Sequence, residues 1–218
     1  MTTPSRRGRV GTLAAVPGRR TRIAVDARRA QILAATHRVT LKRGLHDLRI
    51  IDVADELGIS SGLIHYHFAT KDDVIEAMLR DVADREVAAV RDDVADVADP
   101  AERLARIIDL YLPSTRRDPS WLLWIDVWGE ALRDINLRRI SEELDNAWVA
   151  LIADTVAEGI ERGMFRAGDP NAVSWRLCAL LDGLGMQVVL HHRTMTRAQM
   201  HEHVRCAAAL ELGTDLPT

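Results

Sequence analysis

Between Ser60 and Lys71 the chain reads Ser60-Ser61-Gly62-Leu63-Ile64-His65-Tyr66-His67-Phe68-Ala69-Thr70-Lys71. Hydroxyls and imidazoles at this density suit recognition. They can donate to base edges or to phosphate and sugar oxygens. Ile64 and Phe68 stand four apart, so on a helix they share the inward face. Ser61, Gly62, Leu63, His65, Tyr66 and His67 are left toward the outside. There Leu63 offers an apolar contact to a thymine methyl, and His65 and His67 offer donors to a base or phosphate. Gly62 lets a backbone approach closely. Tyr66 and the hydroxyls of Ser60 or Ser61 suit phosphate. Lys71, opening a further helix, adds its charge to that helix's free N–H groups and makes a phosphate clamp; Arg49 stands in the same relation to the helix before.

A second constellation is aromatic. Trp121, Trp124 and Trp128, with Ile125, recur at helical spacing as one stripe. Such a stripe is core packing or the wall of an apolar effector pocket between helices. Trp148 and Trp175 can join it from neighbouring helices. Asp182 lies among Leu180, Leu181 and Leu184, where a carboxylate needs a partner or an exposed edge. An internal hydrogen bond, a polar or cationic effector, and an exposed position all stay open. Gly183 and Gly185 permit close helix approach and suit a dimer interface.

Other chemistry is excluded more directly. No nucleophile stands with a placed base, and there is no glycine-rich phosphate loop and no zinc-protease motif. His191, His192, His201 and His203 never pair at i, i+4, so solvent-facing histidines are expected and no metal site. Cys178 and Cys206 have no paired spacing, so buried inert thiols are expected. The sequence calls for no cofactor and no enzymatic activity.

These groups need short helices to present them and long ones to enclose them. Apolar residues at helical spacing predict a first helix over about Asp26–Arg43, ended by Gly44, and a second over about Arg49–Leu57, closed by Gly58. Ser60 caps a third from Ser61 to about Phe68, and Thr70 caps a fourth from Lys71 to before Pro100. Two short helices joined at a glycine turn form a helix-turn-helix. Further helices are predicted over about Ala101–Leu112, Ser120–Arg133, Asn136–Arg162, Asn171–His192 and Arg197–Glu211, with Pro113, Pro119 and Pro170 at boundaries. The fold class is all-α. Residues 1–23, rich in Arg, Gly, Pro, Ser and Thr, are expected to form a disordered basic arm. Its arginines either enter a minor groove or only add non-specific attraction.

The net charge of −3 is unevenly spread: 13 Lys/Arg against 5 Asp/Glu up to Lys71, and 16 against 27 beyond it. A basic N-terminal third suits a phosphate backbone that the acidic remainder would repel. No apolar core of a secretory signal opens the chain, and Leu177–Leu190 is shorter than a bilayer requires. A cytoplasmic protein without a membrane span is expected.

The segment from Val53 to Lys71, with Ile32-Leu33-Ala34-Ala35 and Gly44 upstream, closely resembles the DNA-binding domain of the TetR family. The likeness is strong over about residues 26–75. It continues more loosely through the C-terminal part, where Asp182-Gly183-Leu184 and the tryptophan-bearing helix resemble the choline-regulator, or BetI-like, branch. His65 departs from a common tyrosine, and Ile51 from a frequent polar or basic residue, the latter expected to serve local packing. The resemblance implies a helix-turn-helix domain over 24–72 and a helical ligand-binding and dimerisation domain over 73–218. It implies a homodimer formed through the last two helices, bound to a pseudo-palindromic double-stranded DNA operator and released by a small-molecule effector. Trp121, Trp124, Trp128, Trp148, Trp175 and Asp182 are its candidate contacts. A DNA-binding architectural or division-control protein without an effector is the alternative.

Overall fold

The structure, a computed structural model, describes residues 17–191 and 195–217, with side chains from Val25 onward. Among the described residues it is all helix: α1 (Pro17–Arg43), α2 (Ile50–Leu57), α3 (Ser61–His67), α4 (Lys71–Val94), α5 (Pro100–Tyr111), α6 (Pro119–Ala131), α7 (Ile135–Glu161), α8 (Pro170–Leu190) and α9 (Arg197–Leu212).

The helix starts follow from local chemistry. Asp99, Asp118 and Asp169 each precede a proline and accept backbone N–H groups of the first turn, so α5, α6 and α8 begin on the proline itself. A short carboxylate satisfies orphan donors while proline, lacking an N–H, presets the helical φ. Thr70 accepts from Asp73 N–H, and Asp73 accepts from Thr70 N–H, closing a capping box at α4. Gly44 and Gly58 take the left-handed conformation that ends α1 and α2.

One departure concerns the N-terminus. Helix α1 begins at Pro17 rather than near Asp26, so residues 17–23, expected in the arm, have helical backbone. The rest of the expected arm, residues 1–16, lies outside the described residues.

The apolar stripes of α1 to α3 close around Ile32, Val53, Ile64 and Phe68. That core runs on without a break into α4, through Val74, Ile75 and Met78. Helix α7 is the centre of the larger bundle and packs on α4, α5, α6 and α8, while α9 lies on α8. Helix α8 is 21 residues long and apolar enough to cross a membrane by length and composition alone, a longer run than Leu177–Leu190. Here its inward side is core, with Leu177 and Leu181 buried. Its outward side carries Trp175, 50% exposed, and Leu190, 48% exposed.

Candidate DNA interface and sensor cavity

Helix α3 is a short helix held rigidly from behind. Ser60 Oγ accepts Leu63 N–H at 3.3 Å, which leaves the hydroxyl hydrogen free to donate outward. Ile64 and Phe68 are buried, and they fix the rotation of the helix. Gly62, His65 and Tyr66 consequently face solvent, Tyr66 at 75% exposure, with Ser61, Leu63 and His67 partly covered beside them. Lys71 sits at the first position of α4, and Arg49 is the exposed residue just ahead of α2. All nine DNA-facing candidates thus lie on or beside the outward side of two short helices and the start of a third.

Ile51 is 53% exposed, so it does not serve packing as expected; it stands on the open face of α2. Arg29 was not anticipated. Its guanidinium lies 4.2 Å from the centroid of the Phe68 ring and donates to the His67 carbonyl at 3.5 Å, bracing the end of α3 from α1. Only the fold brings residues 29 and 68 together, so the linear pattern held no sign of it. Glu56 accepts from both Arg38 and Lys42 at 2.9 Å, and this ties α2 to α1.

The second site is a cavity of about 280 Å³ lined by residues of α4, α5, α6, α7 and α8. Trp121, Trp124, Trp128, Trp148 and Asp182 all line it. Trp175 does not; it points outward from α8, which corrects its assignment to the ligand site. The indoles are core and wall at once. Trp121 N–H donates to the Tyr111 carbonyl at 3.0 Å, and Trp124 N–H to Glu86 Oε2 at 2.9 Å. Edge-to-face contacts link Tyr111 to Trp148 at 4.7 Å and Trp121 to Trp128 at 6.2 Å.

Gly185 explains how Trp121 fits. A Cβ at residue 185 would run into the Trp121 ring, so this glycine serves packing within the protomer rather than a dimer seam. Gly183, with nothing near its Cβ position, faces out.

The polar lining is acidic. Asp182 Oδ1 accepts the Tyr111 hydroxyl at 2.5 Å, realising the internal hydrogen bond weighed for that carboxylate. Burial lifts Asp182 above the usual carboxylate range, and the Tyr111 bond partly opposes this. Burial, with the charge of Asp182 behind it, drives the Tyr111 phenol well above its ordinary value. Asp145 is pushed up to about 6, first by burial and then by the charges of Asp182 and Glu142. Glu86, from α4, is also raised by burial, against the hydrogen bonds it accepts from Ser120 Oγ at 2.6 Å and Trp124. Among the described lining residues there is no Lys, Arg or His. An aromatic wall with desolvated carboxylates and no base is suited to an organic cation.

Tyr111, Asp145 and Glu86 went unread in the sequence. Asp145 sits one residue after Leu144 and three before Trp148, so the rule that singled out Asp182 applied to it as well. Glu86 was hidden by Asp84 and Arg85, which make its stretch of α4 look like a solvated face.

The cysteines and histidines differ in part from expectation. Cys178 is buried, its thiol pushed up to about 12 by burial, but Cys206 is exposed on α9. His201 is mostly covered, with Nδ1 2.9 Å from Asp109, whereas His191 and His203 are exposed and His192 lies outside the described residues.

Known proteins carry the same pattern. Residues 32–78 match the family described as bacterial regulatory proteins, tetR family, and residues 100–213 match the C-terminal domain of BetI-type transcriptional repressors. The transcriptional regulator BetI of Burkholderia ambifaria is 28% identical over 167 residues, covering 76% of this chain and 84% of its own. The transcriptional repressor KstR2 of Mycobacterium tuberculosis is 30% identical over 144 residues, covering 65% and 71%. A protein from Saccharomonospora viridis, solved in complex with choline, superposes with a TM-score of 0.74 at 34% identity, covering 82% of this chain and 94% of that one. FadR from Bacillus subtilis, solved with stearoyl-CoA, is alike in fold alone at 17% identity and a TM-score of 0.67, covering 84% and 97%. These relatives are regulators of transcription and not enzymes, and with a helix-turn-helix domain at one end and a BetI-type domain at the other, the chain belongs to the tetR family of bacterial transcriptional regulators.

Proposed function

We propose that this regulator is a homodimeric repressor that holds a pseudo-palindromic operator through α3 and releases it when a small quaternary ammonium ion such as choline fills the cavity. The composition of the cavity wall carries the reading. Asp145, Asp182 and Glu86 stand among Tyr111 and four indoles with no described basic side chain to meet a carboxylate or phosphate. A methylated cation gains from aromatic faces by the quadrupole of the ring, and a buried carboxylate supplies the counter-charge. The choline-bound relative supports the same ligand class.

On the DNA side, Ser61, Gly62, Leu63, His65, Tyr66 and His67 face the major groove. Ser60, Lys71 and Arg49 hold the phosphates on either side. The dimer forms through α8 and α9. Trp175, Ala179, Gly183, Met186 and Leu190 recur along one side of α8, and Leu210, 76% exposed, continues the apolar surface on α9. A monomer would leave that stripe in water, and a second copy covers it. A cytoplasmic location follows from the role.

The test is operator binding followed by fluorescence anisotropy, with and without choline. Tight, salt-sensitive binding that weakens as choline saturates supports the proposal. Operator binding indifferent to choline and to related quaternary ammonium ions overturns the effector reading. A stable monomer at micromolar concentration in sedimentation overturns the dimer.

A further inference from the structure

We propose that Asp126 carries the occupancy of the cavity directly to the DNA-binding domain, by a route that does not pass along α4; the proposal rests on the effector reading above. Helix α6 forms the cavity wall with Ser120, Trp121, Trp124 and Trp128. At about 3.6 residues per turn, Asp126 and Glu130 fall on the opposite side of the same helix. There Asp126 Oδ2 accepts the backbone N–H of Leu45 at 2.9 Å. Glu130 lies one turn on, 3.8 Å from His46 Nδ1.

The receiving end is the turn that joins α1 to α2. Gly44 ends α1 at φ +85°, and a Cβ there would stand 3.2 Å from the Asp126 carboxylate. The carboxylate thus rests against bare backbone. The Leu45 side chain is 3% exposed, anchored in the core on which α1 and α2 close. A push or pull on its amide therefore acts on the base of the helix-turn-helix and, through α2, on the angle of α3.

Distance favours this path. From Glu86 to Lys71 the signal would travel about 22 Å of α4, at about 1.5 Å per residue. Across α6 it travels about 10 Å, the width of one helix. A ligand shifts a conformational equilibrium only by interacting differently with its two states. Re-seating the indoles moves α6, and the Asp126–Leu45 bond is the contact that differs between operator-competent and released forms. Asp126 itself is exposed, so its removal costs little packing.

The experiment compares wild type with Asp126→Ala and Asp126→Asn, the latter retaining an oxygen that can accept Leu45 N–H. Operator affinity is measured without ligand and at saturating choline, and choline affinity by tryptophan fluorescence. In Asp126→Ala the choline dissociation constant should stay within about twofold and ligand-free operator affinity within about threefold. The weakening of operator binding by saturating choline, about 5- to 150-fold in wild type by the usual range of coupling, should fall at least threefold. Asp126→Asn should keep the wild-type weakening. An alanine variant that retains the full weakening, or an asparagine variant that loses it, overturns the relay. Amide exchange of residues 44–48 in the wild type gives a reading independent of any substitution. Choline should speed it, and unchanged exchange overturns the relay. A wild type that ignores choline overturns the effector reading and the relay with it, whereas a responding wild type matched by Asp126→Ala overturns the relay alone.

Discussion

The proposed DNA-facing surface and the proposed sensor cavity use polar side chains in opposite ways. On α3 the donors point out into water, and Ile64 and Phe68 behind them keep the helix from turning. In the cavity the acids point in, and each is shaped by groups from other helices: Asp182 by Tyr111, Glu86 by Ser120 and Trp124. An exposed array draws its affinity from many small charge contacts. A desolvated one is displaced from its ordinary chemistry and becomes sensitive to a single charge. The contrast suits the proposed function, in which a long polyanion is read at one end and one small cation at the other.

Substituting Trp124 should blur the contrast most. This residue is 5% exposed, bonded to Glu86, and part of the cavity wall. Trp124→Ala should cost about 3–5 kcal/mol by leaving a cavity in the core, which denaturant unfolding measures. Operator and choline binding should fall together. Trp128, only partly buried, sharpens the contrast instead. Trp128→Ala should lose choline affinity with a smaller fall in melting temperature and operator affinity close to wild type.

The next effect in size belongs to the acids. Asp182→Asn removes a charge but keeps an acceptor for Tyr111, so it should weaken choline by about 1–4 kcal/mol, the Coulombic attraction of two unit charges about 4 Å apart between water and a protein surface. Ligand-free operator affinity should be unchanged. Calorimetry with choline measures the first and anisotropy the second. A loss of operator affinity equal to the loss of choline affinity would show that the two regions are not separable.

The pH response is smaller. The proton on Asp145 is held up to a pKa of about 6 in the folded protein against an ordinary 3.8, so ionising it works against folding. Its contribution to stability therefore declines as pH rises from the ordinary carboxylate range through about 6. Bound as proposed, choline reverses this by favouring the ionised form. Its affinity should rise with pH up to about 6, by at most about tenfold per unit, and level off above 7. Titrations between pH 5 and 8 check this, and Asp145→Asn should flatten the profile. Asp182, itself raised by burial and acting on Asp145 by its charge, should broaden the transition.

The smallest effects fall on the DNA side. Lys71→Ala should weaken every operator alike and lower the salt slope by about one unit, the share of one phosphate contact. His65→Ala should instead change which bases are preferred, and Arg29→Ala should weaken binding without changing preference or salt slope. A panel of operator variants at several salt concentrations separates the three. Equal changes in all of them would mean that α3 presents a different face.

The sequence by itself was enough for the helix-turn-helix. Its signals are local: a glycine that must be left-handed at residue 58, a capping serine at 60, two apolar residues four apart, a capping threonine before Lys71. Each acts within a turn or two of chain, so their order in the sequence is nearly their order in space. Aspartate-proline pairs likewise mark three of the long helices. The cavity is another matter. Trp121, Trp124 and Trp128 could be seen as a stripe, but core and wall share the same spacing, and both descriptions hold for Trp124. Tyr111, Asp145 and Asp182 come from three helices and span 72 positions. What joins them is the packing of α5, α7 and α8, which also turns Trp175 outward and seats Gly185 under Trp121. Tertiary packing alone decides which carboxylates lose their water, because desolvation depends on what surrounds a group in space and not on its neighbours along the chain.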